Sequence, residues 1–213
     1  MKQNSVLVMI FALALTSMAF AGGDPNYVLN AGSGSGGPGA SVDIGVTMDS
    51  SAGLVQGWSW GLCTASPAVA TVTAVVDGAT TATVKGGLAP DFNQKTLLAG
   101  GWTVGVVISF IGAATLPTGV GYGMNVATYS LDGAPLDSTS LDFCDTLGSP
   151  PVATVIVVAG ASIGPVTNSG SLSILDQPDF VYDAPDATGS YDQVSGNATV
   201  SLDVSILDFA APA

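Results

Sequence analysis

Ser41-Val42-Asp43-Ile44-Gly45-Val46-Thr47-Met48 is the stretch that decides the fold class. Val42, Ile44, Val46 and Met48 occupy every second position, with Ser41, Asp43, Gly45 and Thr47 between them. Period two belongs to a strand with one buried face; a helix would need apolar residues three and four apart. The run is preceded by Gly32-Ser33-Gly34-Ser35-Gly36-Gly37-Pro38-Gly39, a flexible loop by composition. Before that loop stands Tyr27-Val28-Leu29-Asn30-Ala31, which reads as another strand.

The same grammar continues downstream. Leu54 to Cys63 and Val69 to Val76 read as strands, Asp77-Gly78 as a hairpin turn, and Thr80 to Lys85 as the returning strand. Pro90 to Gln94 reads as a loop. Trp102 to Phe110 is apolar at nearly every position, which predicts a central strand covered on both faces. Tyr122 to Leu131, Thr139 to Phe143, Val152 to Val158 and the pair Leu172 and Ile174 complete the set, with Asp132-Gly133 as a turn. The sum is an all-β antiparallel sandwich of about eight or nine strands. No stretch after the leader has sustained helical periodicity, so alternating strand–helix units are not expected.

The first 21 residues read as an export signal. Lys2 is followed by the apolar run Val6 to Leu15 and then by Ala19-Phe20-Ala21, a small-residue cleavage site. The apolar run is shorter than the ~18 residues a spanning helix needs. Expected domains are residues 1–21 as signal, 22–175 as the sandwich, and 176–213 as an acidic linker with strands of a partial second module. The expected location is extracellular or periplasmic, with no membrane insertion after cleavage.

Composition removes several function classes. The 213 residues carry a net charge of −13, and all sixteen acids are aspartate. Glu, Arg and His are absent, and after the leader only Lys85 and Lys95 are cationic. Two cations cannot neutralise a phosphate backbone, so nucleic-acid binding is excluded. Without His or Glu the common proton shuttles are missing, and no catalytic triad can be assembled. Paired aspartates alone can hydrolyse glycosides, but sixteen aspartates in a β-protein form pairs by chance. The chain is therefore read as a non-enzyme.

Cys63 and Cys144, 81 positions apart, are the two cysteines. Export favours a disulfide between them; two buried thiols are the alternative.

The opening of the chain is echoed near its end. Phe180-Val181-Tyr182-Asp183-Ala184 stands 153 positions after Tyr27-Val28-Leu29-Asn30-Ala31. Val200, Leu202, Val204 and Ile206 then alternate as Val42, Ile44, Val46 and Met48 do, 158 positions on. The five-residue difference falls in the loop between the two motifs, where length is tolerated. A true duplication and a chance likeness of two alternating strands both fit. Two strands rarely fold alone, so a duplicated opening would dock on the body, stay loose, or exchange with another copy. That is the route by which the C-terminal strand would produce self-association.

From Tyr27 onward the body resembles the cohesin-like family of β-sandwich modules, and repeat modules of secreted bacterial proteins. The pattern is carried by Gly39-Ala40-Ser41-Val42-Asp43-Ile44-Gly45-Val46-Thr47, read as G-x-x-V-x-x-x-V-T. It continues in Leu54-Val55-Gln56-Gly57-Trp58-Ser59-Trp60-Gly61-Leu62, then in Ser66-Pro67 and Thr71-Val72-Thr73-Ala74-Val75. The resemblance spans residues 27–175, with its motifs in the first third. It implies a nine-stranded jelly roll, related to some carbohydrate-binding modules, that binds dockerin partners or serves as a scaffold or adhesion unit. The Cys63/Cys144 pair departs from the family pattern, and no dockerin segment is recognisable in this chain.

Two partner classes follow, a protein and a polysaccharide. For the polysaccharide, Trp58 and Trp60 share one strand face and Trp102 opens the apolar run, so all three are candidate sugar-stacking residues. The alternative is that they are core. Asp176, Asp179 and Asp183 are candidate ligands of a structural Ca²⁺, which takes carboxylate oxygens. The favoured alternative is a solvated acidic linker, since no calcium-loop motif is present. No other cofactor is expected.

Overall fold

The structure, a computed structural model, describes residues 22–176 in full and four short strands beyond them by their backbone. The body holds thirteen strands and one short helix. They are β1 (Asp24–Ala31), β2 (Gly34–Gly36), β3 (Ser41–Ser50), β4 (Val55–Thr64), β5 (Ala70–Asp77), α1 (Ala79–Thr83), β6 (Phe92–Leu98) and β7 (Gly101–Val107), then β8 (Gly119–Leu131), β9 (Ser138–Cys144), β10 (Val155–Val158), β11 (Ala161–Ile163), β12 (Pro165–Asn168) and β13 (Gly170–Ile174).

Two sheets result. One has the order β12-β1-β3-β8-β5. In the other, β4 pairs on one edge with β7, and β7 with β6; on its opposite edge it pairs with both β9 and β10. β10 takes Val55 to Ser59 and β9 takes Gly61 to Thr64, so two strands share one edge end to end. The parallel pairs β1–β12 and β2–β13 make both sheets mixed within the jelly-roll sandwich.

Alternation explains the packing. In β3 the predicted inward residues Ile44, Val46 and Met48 are buried, and Asp43 and Gly45 are exposed. In β4, Trp58, Trp60 and Leu62 point into the core, where Trp58 and Trp60 stack with ring centroids 6.4 Å apart. Phe143 meets Trp60 edge-on at 6.3 Å. Trp102 donates its Nε1–H to the Tyr129 hydroxyl at 3.1 Å, which gives two large amphipathic rings a partner inside the core. Burial holds the Tyr129 phenol above its ordinary pKa, partly offset by that hydrogen bond.

Four local expectations differ from the structure. The body has more than the predicted eight or nine strands, because several interrupted strands count as separate short pieces. Thr80 to Lys85 is not a returning strand; it overlaps the helix Ala79–Thr83. A Cβ on Gly78 would stand 2.4 Å from the Gly123 carbonyl oxygen, so only glycine fits where the chain leaves β5 against β8. Pro90 to Gln94 is not all loop, since β6 starts at Phe92. Its inward polar residues are met by the other sheet. Lys95 Nζ donates to Asp77 Oδ1 at 2.7 Å and Asn93 Nδ2 donates to Asp77 Oδ2 at 2.8 Å. Finally, β7 is central in its sheet and covered on both faces at Trp102, Thr103 and Val104, but Gly105 and Val107 on its outer side are half-exposed.

Cys63 and Cys144 form a disulfide, with Cα atoms 5.9 Å apart. It ties β4 to the last residue of β9, where the chain leaves the sheet before returning as β10.

Candidate functional site

The three tryptophans form no exposed platform. Trp58 is 2 % exposed, and Trp60 and Trp102 are 0 % exposed. Their rings fill the sandwich because they sit on the inward parity of β4 and β7, which corrects the sugar-stacking assignment. Asp176 is exposed at the end of the body; Asp179 and Asp183 lie outside the described residues. Among the described residues no group of three or more candidate ligands could hold a metal ion.

The outer faces of the two sheets are the remaining candidates. On the β12-β1-β3-β8-β5 face, polar side chains satisfy one another. Thr128 Oγ1 donates to Asp43 Oδ1 at 2.6 Å, Asn168 Nδ2 donates to Asn30 Oδ1 at 2.7 Å, and the Gly121 N–H donates to Asp49 Oδ1 at 2.6 Å.

The outer face of β10-β4-β7-β6 is built differently. Its floor is Gly57, Ser59 and Gly61 on β4 beside Thr103, Gly105 and Val107 on β7, aligned by the register Gly57↔Val107, Ser59↔Gly105 and Gly61↔Thr103. Val155 pairs with Ser59 and Val157 with Gly57, which raises two half-exposed valines along one side. Phe92 pairs with Val107 on the other side, and its ring lies over Gly105, where a built Cβ would meet Phe92 Cε1 at 3.7 Å. The result is a shallow trough with an apolar rim and a floor of small residues.

Both ends of the trough are defined. At the upper end a groove of about 280 Å³ is lined by Gln56, Gly57, Val107, Ser109, Phe110 and Val157. Phe110 lines this groove while 70 % exposed, and its neighbour Ile111 is 87 % exposed. Their loop is anchored by Asp91, whose Oδ2 accepts the Phe110 N–H at 3.0 Å and whose Oδ1 pairs with Lys85. These two partners hold the Asp91 carboxyl below the ordinary aspartate pKa, the Lys85 hydrogen bond first. At the lower end, Leu147 lies over the floor: Cβ atoms built on Gly61 and Gly101 would meet it at 3.5 and 3.0 Å. The disulfide pins that segment. Nearby on β9, hydrogen bonds from Ser140 and Ser169 hold the Asp142 carboxyl below its ordinary pKa.

Sequence reading did not single out Val155, Val157, Phe92, Val107 or Phe110 as a site. The available signal was small residues at alternate positions, Gly57-x-Ser59-x-Gly61 and Gly101-x-Thr103-x-Gly105, opposite the tryptophan parity. Large residues inside and small ones outside let neighbouring segments close over part of that face: Gly57, Gly61 and Thr103 are buried, and Ser59, Gly105 and Val107 are half-exposed.

Comparison with solved structures decides the fold. The third cohesin of ScaC from Acetivibrio cellulolyticus, solved with the ScaB dockerin, superposes with a TM-score of 0.55 over 70 % of this chain and 99 % of that chain, at 15 % identity. The fold is cohesin-like. A cohesin from a type I cohesin–dockerin complex of Clostridium thermocellum gives a TM-score of 0.56 over 73 % of this chain and 97 % of that chain, at 11 % identity. A non-cellulosomal cohesin from the archaeon Archaeoglobus fulgidus gives 0.51 over 71 % and 93 %, at 17 % identity. No family model and no curated protein matches the sequence. The cohesin-like body carries the Cys63–Cys144 bridge expected from the sequence. Among the described residues no helix is long and apolar enough to cross a membrane.

Proposed function

We propose that this chain is an exported, non-catalytic module that binds a protein partner on the outer face of β10-β4-β7-β6. The observation that carries the reading is the small-residue floor, partly exposed at Ser59, Gly105 and Val107, between the half-exposed rims Val155/Val157 and Phe92 and continuous with exposed Phe110. A flat apolar area with few side chains to order suits a second folded surface: burying it displaces water at little conformational cost. Two of the solved cohesins it resembles are bound to dockerins, which makes a dockerin the first partner to try. The polysaccharide reading loses its main support with the burial of all three tryptophans. The leader, residues 1–21, supplies export, and the disulfide suits an oxidising compartment.

The test is a panel of type I dockerins titrated against the protein by calorimetry, beside the Val157→Asp variant. Binding by the parent, weakened at least about 100-fold in the variant, is expected for a charge placed against the apolar wall of the trough that the partner would cover. If the parent binds none of the panel at 50 µM, roughly the weak end for specific pairs, the dockerin assignment fails. Unaltered binding in the variant would move the site to another surface.

A further inference from the structure

Three side chains from both sheets form a closed polar cluster at the margin of the core. Asn93 and Lys95 stand on β6 opposite Val106 and Val104, so they share the inward face of those buried valines. Asp77, the last residue of β5, meets them from the other sheet. Lys95 Nζ donates to Asp77 Oδ1 at 2.7 Å and to Asn93 Oδ1 at 2.9 Å, and Asn93 Nδ2 donates to Asp77 Oδ2 at 2.8 Å. The side chains of Lys95 and Asp77 are 21 % and 26 % exposed, so most of the cluster is withdrawn from water.

Each contact fixes the chemistry of the next. A carboxylate only accepts and an ammonium only donates, so the Asn93 amide nitrogen must face Asp77 and its oxygen must face Lys95. One carboxylate therefore touches both the amine and the amide nitrogen, while the amine touches the amide oxygen. With a C=O bond of ~1.23 Å, the amine nitrogen lies within about 4.1 Å of the Asn93 carbonyl carbon. A nucleophile, a carbonyl with its leaving group, and a group able to carry protons between the two nitrogens are in mutual contact.

The other cation shows what a plain ion pair looks like in this fold. Lys85 pairs with Asp91, and the second Asp91 oxygen accepts the backbone N–H of Phe110. Among the described residues no carboxamide joins that pair.

Asn125 adds an independent observation. It stands opposite Asp77 in the β5–β8 register, on the same face, and is 1 % exposed. Directly opposed residues have Cβ atoms about 5 Å apart. Asn125 Nδ2 donates to the Val76 carbonyl, but Asn125 Oδ1 has no hydrogen-bond partner among the described residues. A buried acceptor left empty is costly. A carboxylate has no hydrogen to offer it, whereas a protonated Asp77 has one.

We propose that Lys95 and Asn93 join spontaneously as an amide, with Asp77 carrying the protons. Asp77 takes a proton from the Lys95 ammonium, and the freed amine adds to the Asn93 carbonyl carbon. Asp77 hands that proton to Nδ2 and takes up the next one from the Lys95 nitrogen. The bond from the carbonyl carbon to Nδ2 breaks, and ammonia leaves with the remaining proton. The sum converts one ammonium side chain and one carboxamide into one secondary amide and one ammonium ion. Asp77 is returned as the carboxylate, and no oxidant or other reactant is consumed. Contact between the groups supplies the rate that a free amine and a free amide lack. The event happens once per chain and needs no partner. It staples two positions of β6, the strand that carries Phe92 on the trough rim, and leaves Lys85 as the one cationic side chain after residue 21.

Electrospray mass spectrometry of residues 22–213, incubated at neutral pH until the mass is constant, tests this. The mass should fall short of the disulfide-bonded sequence by one ammonia. Lys85 and Lys95 are the two trypsin sites after residue 21. After reduction, trypsin should cut behind Lys85 and not behind Lys95, because an acylated lysine is no longer a site. Lys95→Arg keeps a cation beside Asp77 without the amine, and Asp77→Ala removes the proton carrier; each should have the full mass of its own disulfide-bonded sequence. Lys95→Arg retains the ion pair, so its result stands even where Asp77→Ala unfolds. A parent at full mass overturns the proposal. So does a deficit of one ammonia with Lys95 still cleaved, which would place the loss in an asparagine succinimide, and so does a deficit that persists in either variant.

Discussion

The two sheets turn different chemistry outward from one shared core. The β12-β1-β3-β8-β5 face carries Asp43, Thr128, Asn30 and Asn168, which bond to one another. The β10-β4-β7-β6 face carries Gly57, Ser59, Gly61 and Gly105 between valines and Phe92. A face whose polar groups are already paired gains little from a partner, because binding must first match the hydrogen bonds it disturbs. A face of glycine and apolar rim has few such bonds to lose. The proposed interface rests on that difference.

The largest effect tests whether both faces depend on the one core. Trp60 stacks on Trp58 and meets Phe143, all from strands of the second sheet, and it is fully buried. Trp60→Ala should cost about 3–5 kcal/mol from lost burial and the cavity left behind. Urea denaturation should show a single transition in which the polar face and the bare face are lost together. Two separated transitions would mean that the sheets are stabilised independently.

Next comes the cross-link that belongs to the bare face alone. The bridge closes an 81-position separation and pins the segment that carries Leu147 over Gly61 and Gly101. Replacing both cysteines by alanine should cost about 2–4 kcal/mol in the same assay. The change should also raise amide exchange in residues 144–154 more than in β3 or β8. Uniform loosening of both sheets would show that the bridge stabilises globally and has no particular hold on the Leu147 segment.

How much of this was legible in the sequence follows from the range of the interactions. The alternation of β3 and the tryptophan parity of β4 are local, and both predicted the inward residues correctly. α1 was not legible: Ala79-Thr80-Thr81-Ala82-Thr83 reads as strand, and it is helical where Gly78 runs against β8 and Thr81 is buried. β6 was read partly as loop because Asn93 looks like a surface residue until Asp77 meets it from the other sheet. The trough was hidden for a related reason. Each glycine is visible, but the floor exists only once the register places Gly57 beside Val107 and Val157.

The functional contrast gives a smaller, sharper test. Val157→Asp on the bare face and Asp43→Ala on the polar face both alter partly or wholly exposed positions. Each should change stability by about 1 kcal/mol or less. For a dockerin that binds the parent, the first should reduce affinity at least about 100-fold and the second less than about twofold. Equal losses would end the assignment of the interface to one sheet.

The smallest effect concerns acid. Asp91 and Asp142 both lie on the side of the second sheet, and both carboxyls are held below their ordinary range, Asp91 by Lys85 and the Phe110 N–H, Asp142 by Ser140 and Ser169. A depressed folded pKa means that the stabilisation is complete above the unfolded value of about 3.9 and is lost as pH falls through the lower folded value. The Phe110 loop should therefore loosen only below about pH 4, by release of the Asp91–Phe110 hydrogen bond. NMR of the Phe110 amide across pH 5 to 2 should show that step, and Asp91→Asn should remove it. A step that persists in Asp91→Asn would assign the loop's acid response to another carboxylate and separate it from the anchor that holds Phe110 at the mouth of the trough.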